Sequence, residues 1–172
     1  METNTKIRKK IFRILLEICD YKKIPDNLII DRNYYSFIRN DENYGVIFSD
    51  LSGNRLVSMG LNNKTVKNAI RKSNKIFQVD FGTLDDNGKI ETERNTNFFD
   101  YEYVLGSISA IIEYFMTENQ VDVLVYFAEK KRRNIYKNIY EKFFKNNFYY
   151  FEKTEITNGK YEIFFIKNDL LK

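Results

Sequence analysis

Residues 104–148 read VLGSISAIIEYFMTENQVDVLVYFAEKKRRNIYKNIYEKFFKNNF, and three patterns follow one another along them. Leu105, Ile108, Ile111, Ile112 and Phe115 recur at helical spacing. Residues 121–127 (VDVLVYF) form a short, almost wholly apolar run, the mark of a strand buried on both faces. Residues 130–145 return to helical spacing through Tyr136, Ile139, Tyr140 and Phe143. A strand that is apolar on both sides must be covered on both sides, so helices have to lie against its sheet. The fold class expected is therefore α/β: a mixed, twisted sheet flanked by helices.

Turn chemistry places the strands around this segment. Three hairpins are expected: 44–50 with 55–59 through Ser52-Gly53-Asn54, 75–84 with 89–93 through Asp85-Asp86-Asn87-Gly88, and 148–156 with 160–167 through Asn158-Gly159. Asn-Gly is the stronger signal because both residues tolerate positive φ. A short helix sits between the first two hairpins, with Asn63 as N-cap and Val66, Ala69 and Ile70 facing inward. Residues 28–31 suggest a short strand and 34–38 a turn of helix. Upstream, Ile7, Ile11, Ile14, Leu15 and Ile18 make an apolar stripe with Lys6, Arg8, Lys9, Lys10 and Arg13 mostly off it, and Pro25 closes that helical region. The 172 residues are read as a single domain, with 1–74 an N-terminal helix and hairpin portion.

Composition narrows the chemistry. The chain has no histidine, which removes Ser-His-Asp and Cys-His systems, His-ligated zinc and the usual neutral-pH base. One cysteine, Cys19, excludes an intrachain disulfide and fits a small core residue in a reducing compartment. No metal site is expected, and no apolar run approaches the ~20 residues that span a bilayer, so no membrane partner is expected either. A soluble protein of the cytoplasm or of a virion is the localisation these features suggest. Carboxylate, Tyr, Ser/Thr, Lys and backbone chemistry remain.

The net charge of +4 hides an asymmetry. Residues 6–13 and 64–75 each hold five basic and no acidic side chains, and 130–145 hold seven basic and one acidic. Residues 78–122 hold ten acidic and two basic. Basic runs are either the solvated faces of amphipathic helices or a footprint for phosphate-bearing partners. Lys130, Lys131, Arg132, Arg133 and Lys137 are the candidates for anion or partner contact. Phe98, Phe99, Tyr101 and Tyr103 precede a helix in a segment too aromatic for an ordinary loop, and are candidates for an aromatic contact surface or a cap on the core.

The helix–strand–helix order of 104–148, and IYEKFF at the end of its second helix, resemble the second half of the GNAT acetyltransferase fold. Ile139, Tyr140, Glu141, Lys142 and Phe144 stand at LYEK-x-G positions, with Phe144 where that family has Gly. The resemblance covers about residues 75–168 and implies two final strands. It also implies a general acid at Tyr140, and places Arg133 seven residues earlier, where Asn is common. More narrowly, Phe127, Ala128, Glu129, Arg132, Ile135 and Tyr136 resemble a pattern in uncharacterised bacteriophage proteins of this fold. The family grips the pyrophosphate of acetyl-CoA with a Q/R-x-x-G-x-G/A loop. Residues 94–106 carry one glycine, no such spacing, and the carboxylates Asp100 and Glu102, which repel a pyrophosphate.

That departure sets the expectation from sequence: a non-enzymatic phage accessory or virion-associated protein, with a protein partner and no cofactor. Its first alternative is an acetyl-CoA-dependent N-acyltransferase, with Tyr140 as acid and Glu113, Glu129 or a Tyr-held water as base. Its second is a nucleic-acid-binding module. The acyltransferase alternative requires a cleft between the central strands.

Overall fold

In the computed structural model, residues 23–91, 101–130, 132–156 and 160–172 are described. The helix expected over 5–20, Cys19, most of 94–106 including Phe98 and Phe99, Lys131 and the Asn158-Gly159 turn lie outside them. The fold is α/β, with one twisted mixed sheet carrying helices on both faces. Its strands are β1 (Ile29–Asp31), β2 (Tyr34–Arg39), β3 (Glu42–Asp50), β4 (Ile76–Leu84), β5 (Ile90–Glu91), β6 (Val123–Glu129), β7 (Phe148–Ile156) and β8 (Lys160–Lys167). The order across the sheet is β1-β2-β3-β4-β6-β8-β7, with β5 paired to β4 off this path. All pairings are antiparallel except β4 with β6. A parallel pair needs a crossover, and α2 (Tyr101–Asn119) supplies it. After the β4–β5 pair, the order helix, strand, helix, two strands is the one the GNAT resemblance implies.

Two cores sandwich the sheet. On one face, Phe77 and Val79 of β4, Leu124, Tyr126 and Ala128 of β6, and Ile163 and Phe165 of β8 pack against α2 and α3 (Arg133–Ile139). Leu105, Ile108, Ile111, Ile112 and Phe115, the helical stripe of α2, are all buried there. On the other face, Ile76, Val123, Val125, Phe164 and Ile166 meet Val66, Ala69 and Ile70 of α1 (Lys64–Lys72). Asn63 caps α1 as its sequence implies, its Oδ1 accepting from the Val66 N–H at 3.0 Å.

Two local expectations are corrected. Residues 34–38 form strand β2 rather than a turn of helix: Tyr35 and Phe37 are buried while 34, 36 and 38 are not, a period of two. Asn40 and Asp41 take φ of 49° and 60°, the mirror-image turn that joins hairpin strands. Residues 55–59 do not return as a strand, because the Asn54 side chain accepts from the Leu56 N–H at 3.0 Å and starts a 3₁₀ turn, Arg55–Ser58. β3 pairs instead with β2 and β4. Of the other two, β4 and β5 pair at Thr83↔Glu91 and Leu84↔Ile90, with 92 and 93 outside the described residues, and β7 pairs with β8, with the turn outside them. The Asp85 side chain locks the β4–β5 turn by accepting from the N–H groups of Asn87 (2.9 Å) and Lys89 (2.8 Å).

Candidate functional site

β4 and β6 run parallel, but only Ile76↔Val123, Phe77↔Leu124 and Gln78↔Val125 pair. The closed end is clamped by Asp122, whose Oδ2 accepts from the backbone N–H groups of Asn74 (3.0 Å) and Lys75 (3.3 Å). Beyond Gln78 the strands diverge. On its outer side β4 stays paired with β3 from Phe77 to Thr83, and β6 stays paired with β8 along its whole length. The facing edges, 79–82 of β4 and 126–129 of β6, pair with no strand among the described residues. The stretch 79–82 spans ~13 Å at ~3.3 Å per residue. β5 pairs with β4 at Thr83 and Leu84 and ends that edge.

Aromatic side chains hold the wedge open. The Tyr136 ring, projecting from α3, lies 5.5 Å from Phe81 of β4 and 4.9 Å from Tyr126 of β6. The cleft has a volume of about 350 Å³, and Gln78, Asp80, Phe127 and Glu129 line it together with Arg132 and Tyr136. That volume lies in the range of small-molecule sites, ~300–1,000 Å³. Gln78, Asp80, Phe127 and Glu129 alternate onto one face of the sheet, whereas Phe81 and Tyr136 belong to the other. The opening therefore passes between the strands from face to face.

Asp80, Glu129, Arg132, Tyr136 and Lys160 are the titratable groups that line it, and burial shifts Asp80 and Tyr136. Burial raises the Asp80 carboxyl above the usual carboxylate range, only partly opposed by the hydrogen bond donated from Gln78 Nε2 to Asp80 Oδ2 at 2.7 Å. Burial pushes the Tyr136 phenol up to about 12; the Arg132 charge lowers it and the Asp80 charge raises it. Asp80 is thus a carboxylate of increased basicity, and Tyr136 a phenol that keeps its proton at neutral pH. Asp80 on one face of the sheet and Tyr136 on the other both border the opening.

The residues singled out from sequence scatter around this site. Glu129 and Arg132 line the cleft, Glu129 in register with Lys160 of β8. Tyr140 does not line it; its ring packs 5.3 Å from Tyr150 and 5.5 Å from Phe165, and burial raises its phenol pKa against a hydrogen bond from the Tyr150 backbone. Arg133 donates from Nε to the Glu152 carboxylate at 2.6 Å, and Tyr150 Oη donates to the same carboxylate at 2.8 Å. Lys130 and Lys137 are exposed. Tyr103 is half-buried, with the Arg39 guanidinium 4.3 Å from its ring centroid. Tyr101 opens α2, where its side chain lies outside the described set, as do Phe98, Phe99 and Lys131. Glu113 lies on α2, away from the cleft.

Gln78, Asp80 and Tyr136 were not among the sequence candidates. The signal was present for Asp80: in IFQVDFGTL, Gln78 and Asp80 put two polar groups on one face of a central strand otherwise built for burial. For Tyr136 there was none, since it shares its helical stripe with Ile139 and Tyr140. Among the described residues no cluster of acidic or sulfur ligands could hold a metal ion, and no helix is long and apolar enough to cross a membrane.

No protein-family model and no curated protein matches the chain. Three of the solved structures similar to it are as follows. One is AAC(6')-Ib in complex with ribostamycin and coenzyme A, at TM-score 0.39 and 10% identity over 80% of this chain. The second is FeeM, an N-acyl amino acid synthase from uncultured soil microbes, at TM-score 0.39 and 12% identity over 95% of this chain and 89% of its own. The third is MesI, a CoA-dependent acyl-homoserine lactone synthase, at TM-score 0.36 and 12% identity over 99% and 86%. The chain spans 64% of the AAC(6')-Ib chain. The likeness is one of fold, and no likeness to bacteriophage proteins accompanies it. The expectations of a non-enzymatic scaffold and of no cofactor are corrected: the cleft between the central strands that the acyltransferase alternative required is present. Of the two carboxylates expected to repel a pyrophosphate, Glu102 is half-buried, with Oε1 enclosed and Lys142 lining the same small hollow, and Asp100 lies outside the described residues.

Proposed function

We propose that the protein is an N-acyltransferase that takes an acyl group from an acyl-CoA thioester and passes it to an amine in the cleft between β4 and β6. The observation that carries the reading is the divergence of these two parallel strands after three residue pairs. Backbone N–H and C=O groups in the middle of a sheet require partners. An extended, amide-bearing chain such as the pantetheine arm supplies them by lying along the edge at 79–82, as a peptide adds to a sheet edge. The acyl-CoA brings the acyl group as a thioester.

The residues of the cleft then divide the proton work. As the amine nitrogen bonds to the acyl carbon and the carbon–sulfur bond breaks, Asp80 Oδ accepts the amine proton. Tyr136 Oη supplies a proton to the departing sulfur. Phe81 and Phe127 help keep bulk water from the thioester, and Arg132 lowers the cost of a transient phenolate at Tyr136.

The test is thiol release from acetyl-CoA and longer acyl-CoA thioesters across a panel of amines. Asp80→Asn should lower kcat by about 10²–10⁴ and flatten the acid limb of the pH profile. Tyr136→Phe should lower kcat with KM little changed. Wild-type turnover unaffected by either change would remove this assignment.

A further inference from the structure

The basic run at 64–75 has a different fate from the one at 130–145. Arg133 is neutralised by Glu152 and Arg132 turns into the cleft. On α1, by contrast, Lys64, Asn68, Arg71 and Lys72 are exposed, Lys67 is half-buried, and the helix has no acidic residue. Lys64 and Lys67 stand three residues apart, and Lys67 and Arg71 four. Both are like-charge spacings that destabilise a helix. Extended upstream, residues 51–75 hold six basic and no acidic side chains.

The structure shapes this charge into a groove. Arg55 of the 3₁₀ turn and Arg71 of α1 line a depression of about 700 Å³, with Asn54, Ser58 and Ser73 as further polar groups and no carboxylate. Asp50, three residues before Gly53 in the sequence, accepts from the Ser52 N–H at 2.8 Å, and other acids are likewise engaged. Asp122 accepts from the Asn74 and Lys75 N–H groups, Asp169 pairs with Lys172 at 2.9 Å, and Glu162 pairs with Lys153 at 3.0 Å. Among the described residues, Arg55, Lys64, Lys67, Arg71 and Lys72 make no ion pair. Ile76 lines the groove, and Gln78 and Asp80 line the cleft on the same face of β4, roughly 7 and 13 Å further along the strand.

We propose that this groove binds the phosphodiester backbone of a nucleic acid, with Arg55 and Arg71 gripping phosphates and Lys64, Lys67 and Lys72 supplying the surrounding field. A concave site suits a strand of nucleic acid better than the flat surface of a bilayer. Guanidinium groups match phosphate geometry in paired hydrogen bonds. The site stands independently of acyl transfer in the cleft, and its position directs the bound strand along the cleft-bearing face.

Fluorescence anisotropy with labelled single-stranded and duplex RNA and DNA tests it. The expected result is roughly micromolar binding at low salt that falls steeply between about 50 and 200 mM. The double reversal Arg55→Glu/Arg71→Glu should weaken binding at least about tenfold and reduce the salt slope by about two. Its melting temperature should not fall markedly, since both side chains are exposed and Arg71→Glu replaces a like-charge spacing with Lys67 by an opposite-charge one. Lys130→Glu/Lys137→Glu, on the other basic run, should leave binding near wild type. No binding at low salt, equal loss in both double variants, or binding to phosphatidylserine vesicles without binding to any oligonucleotide would overturn the proposal.

Discussion

Asp80 occupies a position that the fold tolerates at a cost. Its carboxyl is raised because burial disfavours the charged form. A carboxyl whose folded pKa lies above its unfolded value holds its proton more tightly in the native state. Its stabilising contribution is complete below the unfolded value and is lost as pH rises through the raised folded value. At neutral pH the ionised side chain therefore works against folding. Asp80→Asn keeps an oxygen for Gln78 Nε2 and removes the charge, so its melting temperature at pH 7 should equal or exceed that of the wild type. The advantage should shrink as pH falls toward the ordinary carboxylate range. Thermal melts of both proteins between pH 4 and 8, on the order of half-unit steps, check this sign. A marked fall at pH 7 would show that the carboxylate is structural. Gain of stability with loss of turnover is the pattern expected of a group held for chemistry.

At the scale of elements, the sequence reads best where one force dominates. The stripe of α2, the run VLVYFAE of β6 and the Asn63 cap each follow from burial periodicity or one side-chain hydrogen bond, and each forms. β2 was misread because aromatic residues at 34, 35 and 37 fit a helical turn as well as a strand. The Asn40-Asp41 turn that settles it depends on positive φ at residues other than glycine. The wedge was illegible for a different reason: pattern specifies which residues enter a sheet, not where two parallel strands stop pairing. That point depends on the Asp122 clamp, 47 and 48 residues from its partners in sequence, and on the Tyr136 ring from α3. Charge runs were equally opaque until partners were placed. Arg133 holds α3 to β7 through Glu152, whose side chain is 9% exposed. Arg133→Met leaves that carboxylate with only the Tyr150 hydroxyl. It should cost about 1–2 kcal/mol in urea unfolding, between surface and buried ion pairs. Lys137→Met should change stability by less than about 0.5 kcal/mol. Equal effects would mean that Glu152 is solvated in solution.

At the scale of the molecule, the sheet is continuous across the boundary suggested at residue 74. β1–β3 extend the sheet whose other side carries β6, β8 and β7, and β4 belongs to both parts. This brings β3 against the outer edge of β4 and commits the inner edge to the cleft. The two proposed sites share one strand face: Asp80 lines the cleft, and Arg55 and Arg71 line the groove beside Ile76. Binding in the cleft bridges β4 and β6, the two strands that join the halves of the sheet, and so should stabilise the whole fold.

The most direct measurement is the melting temperature with and without millimolar acetyl-CoA, in the wild type and in Gln78→Trp, which fills the vertex of the wedge. At a ligand concentration a hundred times the dissociation constant, binding adds about 2.7 kcal/mol. For a chain of this length that is a rise of roughly 5–10 °C. The account predicts such a rise in the wild type and its loss in Gln78→Trp. No rise in the wild type, or the same rise in both, would contradict the assignment of the β4–β6 cleft as the acyl-donor site.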